Sequence, residues 1–188
     1  MNKNVANLCN IRSGIYKKPE PGGHIRLIRA SDFHASGHLK AAAHEMNIRP
    51  WKSLAKHSLK PGDVLLTAKG ESNPAFLFSA ADVEAVASSM FLVLRPNNAL
   101  LEAEYLFWYL NSKECQHILS TKSRGSGIPT LAKKALGEVS IPIPSLDIQK
   151  AIVRLGKLQK KEQQLYRELM RQRKHLVETN LLNLAHQH

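Results

Sequence analysis

The sequence has little cysteine and no long apolar run, and both absences narrow the class of protein. Only two cysteines, Cys9 and Cys115, occur in 188 residues, and they form no Cys-x-x-Cys pair. Neither a disulfide framework nor a zinc ribbon is therefore expected, which fits a reducing compartment. No apolar stretch reaches the length of a membrane span, and the first residues, MNKNVANLCN, lack the apolar core of a signal peptide. We expect a soluble, cytoplasmic protein that does not enter a membrane.

Acidic residues are also scarce. The chain has 15 Asp and Glu against 27 Lys and Arg, which gives a formal net charge of +12 and a pI near 9.9. Residues 1–150 carry 19 basic against 12 acidic side chains, and residues 151–188 carry 8 against 3. Clustered cations release counterions from phosphate backbones, so this balance favours a polyanion partner. An acidic protein partner, or a basic surface with no such partner, is the alternative.

The length suits one full hydrophobic core and an appendage, because a second globular domain would be cramped. Residues 1–144 alternate apolar segments with turn signals such as Pro61-Gly62 and predict a globular α+β domain of twisted, mostly antiparallel strands with flanking helices. Strands are expected over residues 5–11 (or a short helix leading into a strand), 24–29, 64–67, 75–79, 83–86, 90–94 and 139–143. Helices are expected over residues 102–110, 113–120 and 131–136, the last with Thr130 as its N-cap.

The aromatic residues of the first of these helices have two interpretations. Tyr105 and Trp108 recur at helical spacing, which is more typical of core residues than of a surface that stacks on bases. We therefore expect them to pack in the core.

Residues 145–188 predict one long helix. Ser145 precedes it, Asp147 lies in its first turn, and Gly156 is the one weak helix former before about Leu184. Leucines recur along this segment at coiled-coil spacing, which a small domain cannot bury alone. A partner helix is therefore expected to cover Leu155, Leu158, Leu165, Leu169, Leu176 and Leu181.

Two motifs suggest catalytic or metal chemistry but lack the residues that such chemistry needs. His34 and His38 would share a helix face, yet Gly37 weakens that helix and no Cys or carboxylate lies at ligand spacing, so a variable basic loop is the favoured interpretation. Asn73-Pro74-Ala75-Phe76 is close to the Asn-Pro-Pro-aromatic motif of DNA amino-methyltransferases. No glycine-rich cofactor turn accompanies it, and Ala75 stands where that motif has proline. We expect no metal site and no catalytic residue.

Three blocks of the sequence resemble one family. They are the strand and acidic residue over 25–32, the string LKPGDVLLTAKG, and the stretch from EYLFWYLNSKECQHIL through a Gly-Ser loop to IPIPSLDIQKAI. This succession resembles a target recognition domain, with the long spacer helix that follows it, in the specificity (S) subunits of type I restriction-modification enzymes. Family members usually have a further proline at the position of Ser145 and a glutamate at that of Ile148.

The resemblance implies a non-catalytic subunit of a prokaryotic cytoplasmic complex that binds double-stranded DNA. Such subunits dock methyltransferase (M) subunits and, through the complex, the restriction (R) subunit. S-adenosylmethionine, ATP and Mg²⁺ are expected on those partners only, so this chain should need no cofactor. Loops and strand ends beside the matching blocks provide the expected DNA contacts, which are Arg29, Lys69, Ser72, Asn73, Lys122, Arg124 and Ser126.

Family members usually carry two recognition domains, each followed by a helix, and the two helices pair antiparallel as a spacer between DNA half-sites. This chain has one of each and resembles a half-length subunit. We therefore expect a homodimer through the C-terminal helix that places two identical recognition domains on a two-fold-symmetric bipartite site. Two alternatives remain open: a coiled-coil scaffold or decoy adaptor without sequence-specific DNA binding, and a stand-alone methyltransferase or nuclease.

Overall fold

A computed structural model describes residues 1–34, 37, 39–40, 47–80, 84–97, 99–125 and 127–186. Within them the chain divides into two compact units, Met1–Gln149 and Lys150–His188. The described residues of the first unit form nine strands and four helices, and the long helix begins at its end. The strands are mostly antiparallel, so the predicted α+β class is confirmed.

The strands are β1 (Asn2–Asn4), β2 (Cys9–Ser13), β3 (Ile25–Ile28), β4 (Asn47–Ile48), β5 (Val64–Thr67), β6 (Ala75–Leu77), β7 (Ala85–Ala87), β8 (Phe91–Pro96) and β9 (Ser140–Pro142). The helices are α1 (Val5–Leu8), α2 (Ala103–Leu110), α3 (Lys113–Lys122), α4 (Lys133–Gly137) and α5 (Leu146–His186). Short 3-10 turns cover Ala30–Asp32 and Leu54–Lys56.

The largest sheet has four antiparallel strands in the order β2-β8-β5-β6. All four residues of β5 are buried, because this strand lies inside the sheet and has neighbours on both sides. A core cluster that includes Leu65, Phe78, Phe91 and Val93 covers one of its surfaces. Burial of this apolar area, at about 25 cal/mol per Å², is the main stabilising contribution to the unit.

The second sheet has three strands in the order β4-β3-β7, of which β3 and β7 are parallel. Its own core cluster consists of Ile25, Leu27, Ile48 and Val86, covered by Ile15, Trp51 and Leu54. The two sheets meet where Gly14 donates its backbone N–H to Phe91 and Ile15 donates to Ala87. A Cβ at position 14 would lie 2.0 Å from the carbonyl oxygen of Ser88, so only glycine fits this crossing.

The Pro-x-Pro segment forms an edge pairing that joins the two ends of the first unit. β9 pairs antiparallel with β1, with Lys3 opposite Ile141. The sequence predicted a terminal or edge strand here because Pro142 and Pro144 have no N–H for a central ladder, and this is confirmed. Its partner β1, with the polar sequence NKN, was not predicted.

The start of α5 is held by a buried amide. Gln149 is fully buried, and its Nε2 donates to the carbonyl oxygens of Leu100 (2.7 Å) and Pro144 (2.9 Å). Its Oε1 accepts from the backbone N–H of Glu102 at 3.0 Å. One side chain therefore satisfies three backbone groups where the helix leaves the globular unit.

Two local predictions are corrected. Thr130 is not a helix N-cap: α4 begins two residues later than predicted, at Lys133 after Ala132, and Thr130 lies in extended backbone. The last predicted strand before α2 extends to Pro96 rather than ending at Leu94. Of the two aromatic residues expected in the core, Tyr105 is buried as predicted, whereas Trp108 is 38 % exposed and lies at the surface, where it stacks on Tyr105 at a centroid distance of 5.7 Å.

Candidate nucleic-acid interface

Two of the predicted DNA contacts are brought together by Thr130. Its backbone forms one bridge with Lys69 and another with Arg124, and its N–H donates to the carbonyl oxygen of Arg124 at 2.8 Å. Gly70 in turn donates to the carbonyl oxygen of Pro129 at 3.0 Å. The loop after β5 and the loop after α3 therefore lie side by side, although more than 50 residues separate them in the chain.

This double-bridged region, which we call the Thr130 surface, presents basic and polar groups to solvent. Lys69, Ser72 and Arg124 are all exposed, as is Ile128. Gly125 has a φ of 138°, which gives the loop a conformation that L side chains rarely adopt. An exposed lysine, arginine and hydroxyl on neighbouring loops are groups that bind phosphate oxygens and base edges.

Asn73 has a different position from the one predicted. It is 2 % exposed, its Nδ2 donates to the carbonyl oxygen of Thr67 at 2.8 Å, and its Oδ1 accepts from the hydroxyl of Ser123 at 3.3 Å. The side chain of Gln116 bonds both the N–H and the carbonyl oxygen of Asn73. Asn73 therefore links β5, α3 and the loop after it, and its amide is not available at the surface.

This burial also explains the motif that resembles a methyltransferase signature. Its asparagine, Asn73, donates to the backbone carbonyl oxygen of Thr67, and its aromatic residue, Phe76, stacks on Phe33 with ring centroids 4.4 Å apart. The motif is accounted for by packing.

Arg29 lies after β3, beside the turn that joins β7 to β8. Ser88 at the start of that turn donates to the carbonyl oxygen of Ile28, and Met90 at its end accepts from the N–H of Ala68. Arg29 follows Ile28, and Lys69 follows Ala68. Since Ile28 and Ala68 bond the two ends of the turn, Arg29 and Lys69 lie on either side of it. The backbone N–H of Arg29 donates to the buried carboxylate of Asp32 at 2.8 Å, which fixes the strand end.

The two remaining predicted contacts differ in what the structure shows. Lys122 lies at the end of α3, with its Nζ 3.8 Å from a carboxylate oxygen of Glu138. Both side chains are partly exposed, so the pairing is weak, and it offsets part of the positive charge of Lys122. Ser126 lies outside the described residues, as do His38 and His44 of the histidine-rich segment.

A second basic surface was not predicted. Lys17 places its Nζ 4.8 Å from the centre of the Trp51 ring, and Tyr16 beside it is 80 % exposed. We call this region the Trp51 surface, and we define its cations as Lys17 and the exposed Lys18, Arg49, Lys52 and Lys56, which are near Lys17 or Trp51 in the sequence. Lys17-Lys18 and Trp51-Lys52 are visible in the sequence, but they lie far apart along the chain. The pairing of β3 with β4 brings residues 16–18 and 49–56 together.

A buried carboxylate binds two arginines at one edge of the Trp51 surface. Asp63 is 1 % exposed and accepts from Arg95 at 2.6 Å through each of its oxygens and from Arg12 at 3.3 Å. The hydrogen bond with Asp63 raises the pKa of Arg95, whereas burial lowers the pKa of Arg12. Arg12 also donates to the carbonyl oxygen of Lys56 at 2.7 Å, so the ion pair positions one edge of the Trp51 surface.

The second unit presents the predicted leucine stripe to solvent. Each of its six leucines is between 54 and 66 % exposed, as are Tyr166, Met170 and Leu184 on the adjoining face. Within the described part of Lys150–His188, every residue is exposed or partly exposed. The helix therefore has a continuous apolar face that its own unit does not cover.

Neither a metal cluster nor a membrane helix is found in the described parts of the chain. No three His, Cys, Asp or Glu side chains among these residues could hold a metal ion together. The described helices also include none that is both long and apolar enough to cross a membrane.

Comparison with known proteins identifies the family. The family model of the type I restriction modification DNA specificity domain matches residues 2–178. The MjaVIII specificity subunit of a type I restriction enzyme from Methanocaldococcus jannaschii is 33 % identical over 93 residues, which is 50 % of this chain and 21 % of that protein. The HindI specificity subunit from Haemophilus influenzae is 28 % identical over 110 residues, 57 % of this chain and 24 % of that protein.

Solved structures show the same fold. The HsdS subunit from Thermoanaerobacter tengcongensis superposes with a TM-score of 0.63 at 23 % identity, covering 89 % of this chain and 39 % of that one. The S subunit of a type I system from M. genitalium gives a TM-score of 0.58 at 15 % identity, over 86 % of this chain and 39 % of its own length. The chain thus spans about a quarter or less of its curated relatives and about two fifths of these structures.

Proposed function

This chain belongs to the family of type I restriction modification DNA specificity domains, and from that premise we propose that it recognises one half of a bipartite DNA target. Unit Met1–Gln149 binds the duplex, and α5 connects it to its partners. The observation that supports this most strongly is the Thr130 surface, where two backbone bridges hold Lys69 and Arg124 on adjacent exposed loops. Rigidly positioned cations at a sheet end can both hold a phosphate backbone and contact a base edge.

The Trp51 surface gives a second set of cations for the same duplex. Lysines contact phosphates as flexible point charges, so this surface contributes affinity without sequence preference. The Thr130 surface contains an arginine, which can donate two parallel hydrogen bonds to guanine. We therefore assign sequence discrimination to the Thr130 surface and general backbone binding to the Trp51 surface.

We further propose that the chain is non-catalytic and acts within a cytoplasmic restriction-modification complex of a prokaryote. Methyltransferase subunits dock on its helical part and carry S-adenosylmethionine, and the restriction subunit brings ATP and Mg²⁺ chemistry. A further similar structure, with a TM-score of 0.64 at 22 % identity, was solved to explain complex assembly of a type I restriction-modification system. The exposed apolar face of α5 supports an assembly role for this chain too.

Two copies of the chain would supply the two recognition units of a bipartite site. The exposed leucine face of α5 is the surface through which a second copy would bind. This homodimer through Leu155 to Leu181 is part of the proposal.

The test compares charge removal at two ends of β5. Lys69 follows the end of β5 and Lys60 precedes its start, and both are exposed, so Lys60→Ala is the matched control for Lys69→Ala. A selected duplex should lose affinity on Lys69→Ala or Arg124→Ala, and each phosphate contact removed should lower the salt slope by about 1. Lys60→Ala should leave both quantities unchanged.

Arg124→Ala distinguishes base contact from phosphate contact. If Arg124 contacts a base, its removal should reduce discrimination between matched and mismatched duplexes by about 1 to 3 kcal/mol. Equal losses for Lys60→Ala and Lys69→Ala would contradict a DNA role for the Thr130 surface. Binding that is independent of salt would favour the scaffold alternative.

A further inference from the structure

One apolar side chain lies among the cations of the Thr130 surface. Ile128 is 71 % exposed, which makes it the most exposed of the described leucine, isoleucine and valine residues in Met1–Gln149. Single exposed apolar side chains are common on protein surfaces and by themselves indicate no partner. The position of Ile128 between Arg124 and Thr130 distinguishes it, because its neighbours are the groups proposed to contact DNA.

Hydrogen bonds fix the backbone on both sides of Ile128. Arg124 and Thr130 exchange two backbone hydrogen bonds, at 3.1 and 2.8 Å, which close the loop that contains Ile128. The carbonyl oxygen of Ile128 accepts from the hydroxyl of Thr130 at 3.2 Å. The next carbonyl oxygen, that of Pro129, accepts from the N–H of Gly70 at 3.0 Å. The isoleucine therefore extends from a closed loop that is itself bonded to the loop after β5.

The side chain of Ile128 has few conformations. Isoleucine is branched at Cβ, which restricts χ1, and a residue that precedes proline is restricted to extended backbone. Across the loop, a Cβ at Gly125 would lie 3.0 Å from the carbonyl oxygen of Ile128, so a side chain at position 125 would crowd this backbone. Less conformational entropy is therefore lost when Ile128 makes a contact than for a flexible side chain.

A DNA duplex offers such a side chain one apolar partner on its base edges. The major groove presents the C5-methyl group of thymine, whereas the other groups by which it distinguishes base pairs are hydrogen-bond donors and acceptors. Guanine presents its N7 and O6 in the same groove, where an arginine can donate two hydrogen bonds. An arginine and an exposed isoleucine on one loop can therefore contact neighbouring base pairs in one groove.

The neighbouring cations decide between DNA and protein as the partner of Ile128. An apolar protein surface that covered the isoleucine would also remove water from Arg124 and Lys69, and the burial of unpaired charges is costly. DNA provides phosphates for the cations and a methyl group for the isoleucine on one surface. The composition of the Thr130 surface therefore favours a duplex.

We propose that Ile128 contacts the C5-methyl group of a thymine in the DNA half-site, next to the base that Arg124 contacts. This inference deepens the proposed function, because it rests on DNA binding by the Thr130 surface. Lys69 and Arg124 bind through charge and hydrogen bonds, whereas Ile128 recognises a methyl group by excluding water from it. The half-site should therefore contain one thymine whose methyl group alone contributes to affinity.

Replacement of thymine by uracil tests the contact, since deoxyuridine keeps every hydrogen-bonding group of thymine and lacks only the methyl group. A duplex selected by the intact wild-type chain is changed at one thymine at a time, and its binding to wild type and to Ile128→Ala is measured. We expect one position at which uracil weakens binding to wild type by about fourfold, the effect of one buried methyl group. The same replacement should leave the affinity of Ile128→Ala nearly unchanged.

Two further variants serve as controls. Ile128→Val keeps a branched side chain with one methylene group fewer, so it should show a smaller uracil effect than wild type. Ile148→Ala removes an isoleucine that is 52 % exposed at the start of α5, outside the Thr130 surface, and should retain the full effect. Thermal unfolding of each variant should match that of wild type, because both isoleucines are exposed.

The outcomes separate this inference from the proposed function. A selected half-site without thymine, or selective binding in which no uracil replacement weakens the wild type, would overturn the methyl contact while leaving DNA recognition intact. An equal uracil effect in wild type and in Ile128→Ala would also overturn it, because the methyl group would then act through another residue or through DNA shape. Enrichment of no sequence at all would contradict the proposed function itself, and this inference with it.

Discussion

The two units of this chain treat their apolar residues in opposite ways. In Met1–Gln149, Leu65, Leu66 and Phe78 are fully buried between sheet and core, and polar groups such as Gln149 are satisfied inside the unit. In Lys150–His188, Leu165 and Leu169 are about 60 % exposed. The first unit can therefore be stable as a single copy, whereas the second has a surface whose free energy depends on a partner.

This contrast divides the function as well. The globular unit carries the basic loops proposed to contact DNA, and its buried hydrogen bonds hold those loops in place. The helix carries the proposed assembly surface, through which it would set the spacing of two copies. Changes in the globular unit should therefore alter DNA binding and leave self-association nearly unchanged, and changes in the helix should do the reverse.

The largest effect is expected from charges in the leucine face. Leu165→Glu with Leu169→Glu places carboxylates in the central layers, so the dissociation constant of the dimer should rise by at least about 100-fold. Light scattering should report a monomer, with the thermal unfolding of Met1–Gln149 unchanged. Arg167→Glu with Lys174→Glu, on the outer face, is the control and should stay dimeric. Indistinguishable behaviour of the two variants would contradict an interface on this face.

In the globular unit the most sensitive position is Asp63. Asp63→Ala leaves Arg12 and Arg95 without their shared carboxylate, so we expect a loss of about 3 to 5 kcal/mol in the free energy of unfolding. Urea unfolding measures it, with the exposed Glu71→Ala as control. Self-association through α5 should persist wherever the unit stays folded. A loss below 1 kcal/mol would mean that the ion pair does not hold this region.

Much of this contrast was predictable because it depends on local pattern. The heptad leucines predicted the long helix, the apolar residues 64–67 after the Pro61-Gly62 turn predicted the central strand, and the prolines of 139–144 predicted the edge strand. What was missed depends on distant partners. The polar β1 gives no strand signal and pairs with β9 about 140 residues away. Thr130 becomes extended because it pairs with Arg124 on one side and with Lys69 on the other.

The candidate site shows the same limit. Residue type and loop position selected Lys69 and Arg124 as DNA contacts, and both are exposed and adjacent. The same reasoning selected Asn73, but the sequence does not show that its side-chain amide bonds Thr67 and Ser123. The Trp51 surface was missed because a cation over a ring is a property of tertiary structure.

A smaller loss of unfolding free energy is expected at Gln149, the last residue of the first unit. Gln149→Ala removes the partners of three backbone groups, at a cost of about 2 to 4 kcal/mol in unfolding free energy, since buried groups are left unsatisfied. Gln164→Ala, exposed on the same helix, should be neutral. Equal stability of the two variants, measured by urea unfolding, would show that Gln149 does not anchor the helix start.

The smallest effects concern titration. Burial raises the pKa of Cys9 and Cys115 to about 12, so both thiols should resist a thiol reagent in the native protein and react in urea. Burial likewise raises the pKa of Tyr109 to about 12. Its contribution to stability should be complete below pH 10 and decrease as the pH rises toward 12. Rapid native labelling of either thiol would contradict the packing of the first unit.

In the proposed function, the helix pairs two self-contained recognition units into one reader of a split DNA site. Selection of duplexes from a random library by the intact protein tests this pairing. We predict enrichment of an inverted repeat whose two halves are separated by a constant spacer, with Leu165→Glu, Leu169→Glu retaining preference for a single half. Enrichment of no sequence, or of one undivided asymmetric site, would contradict the account.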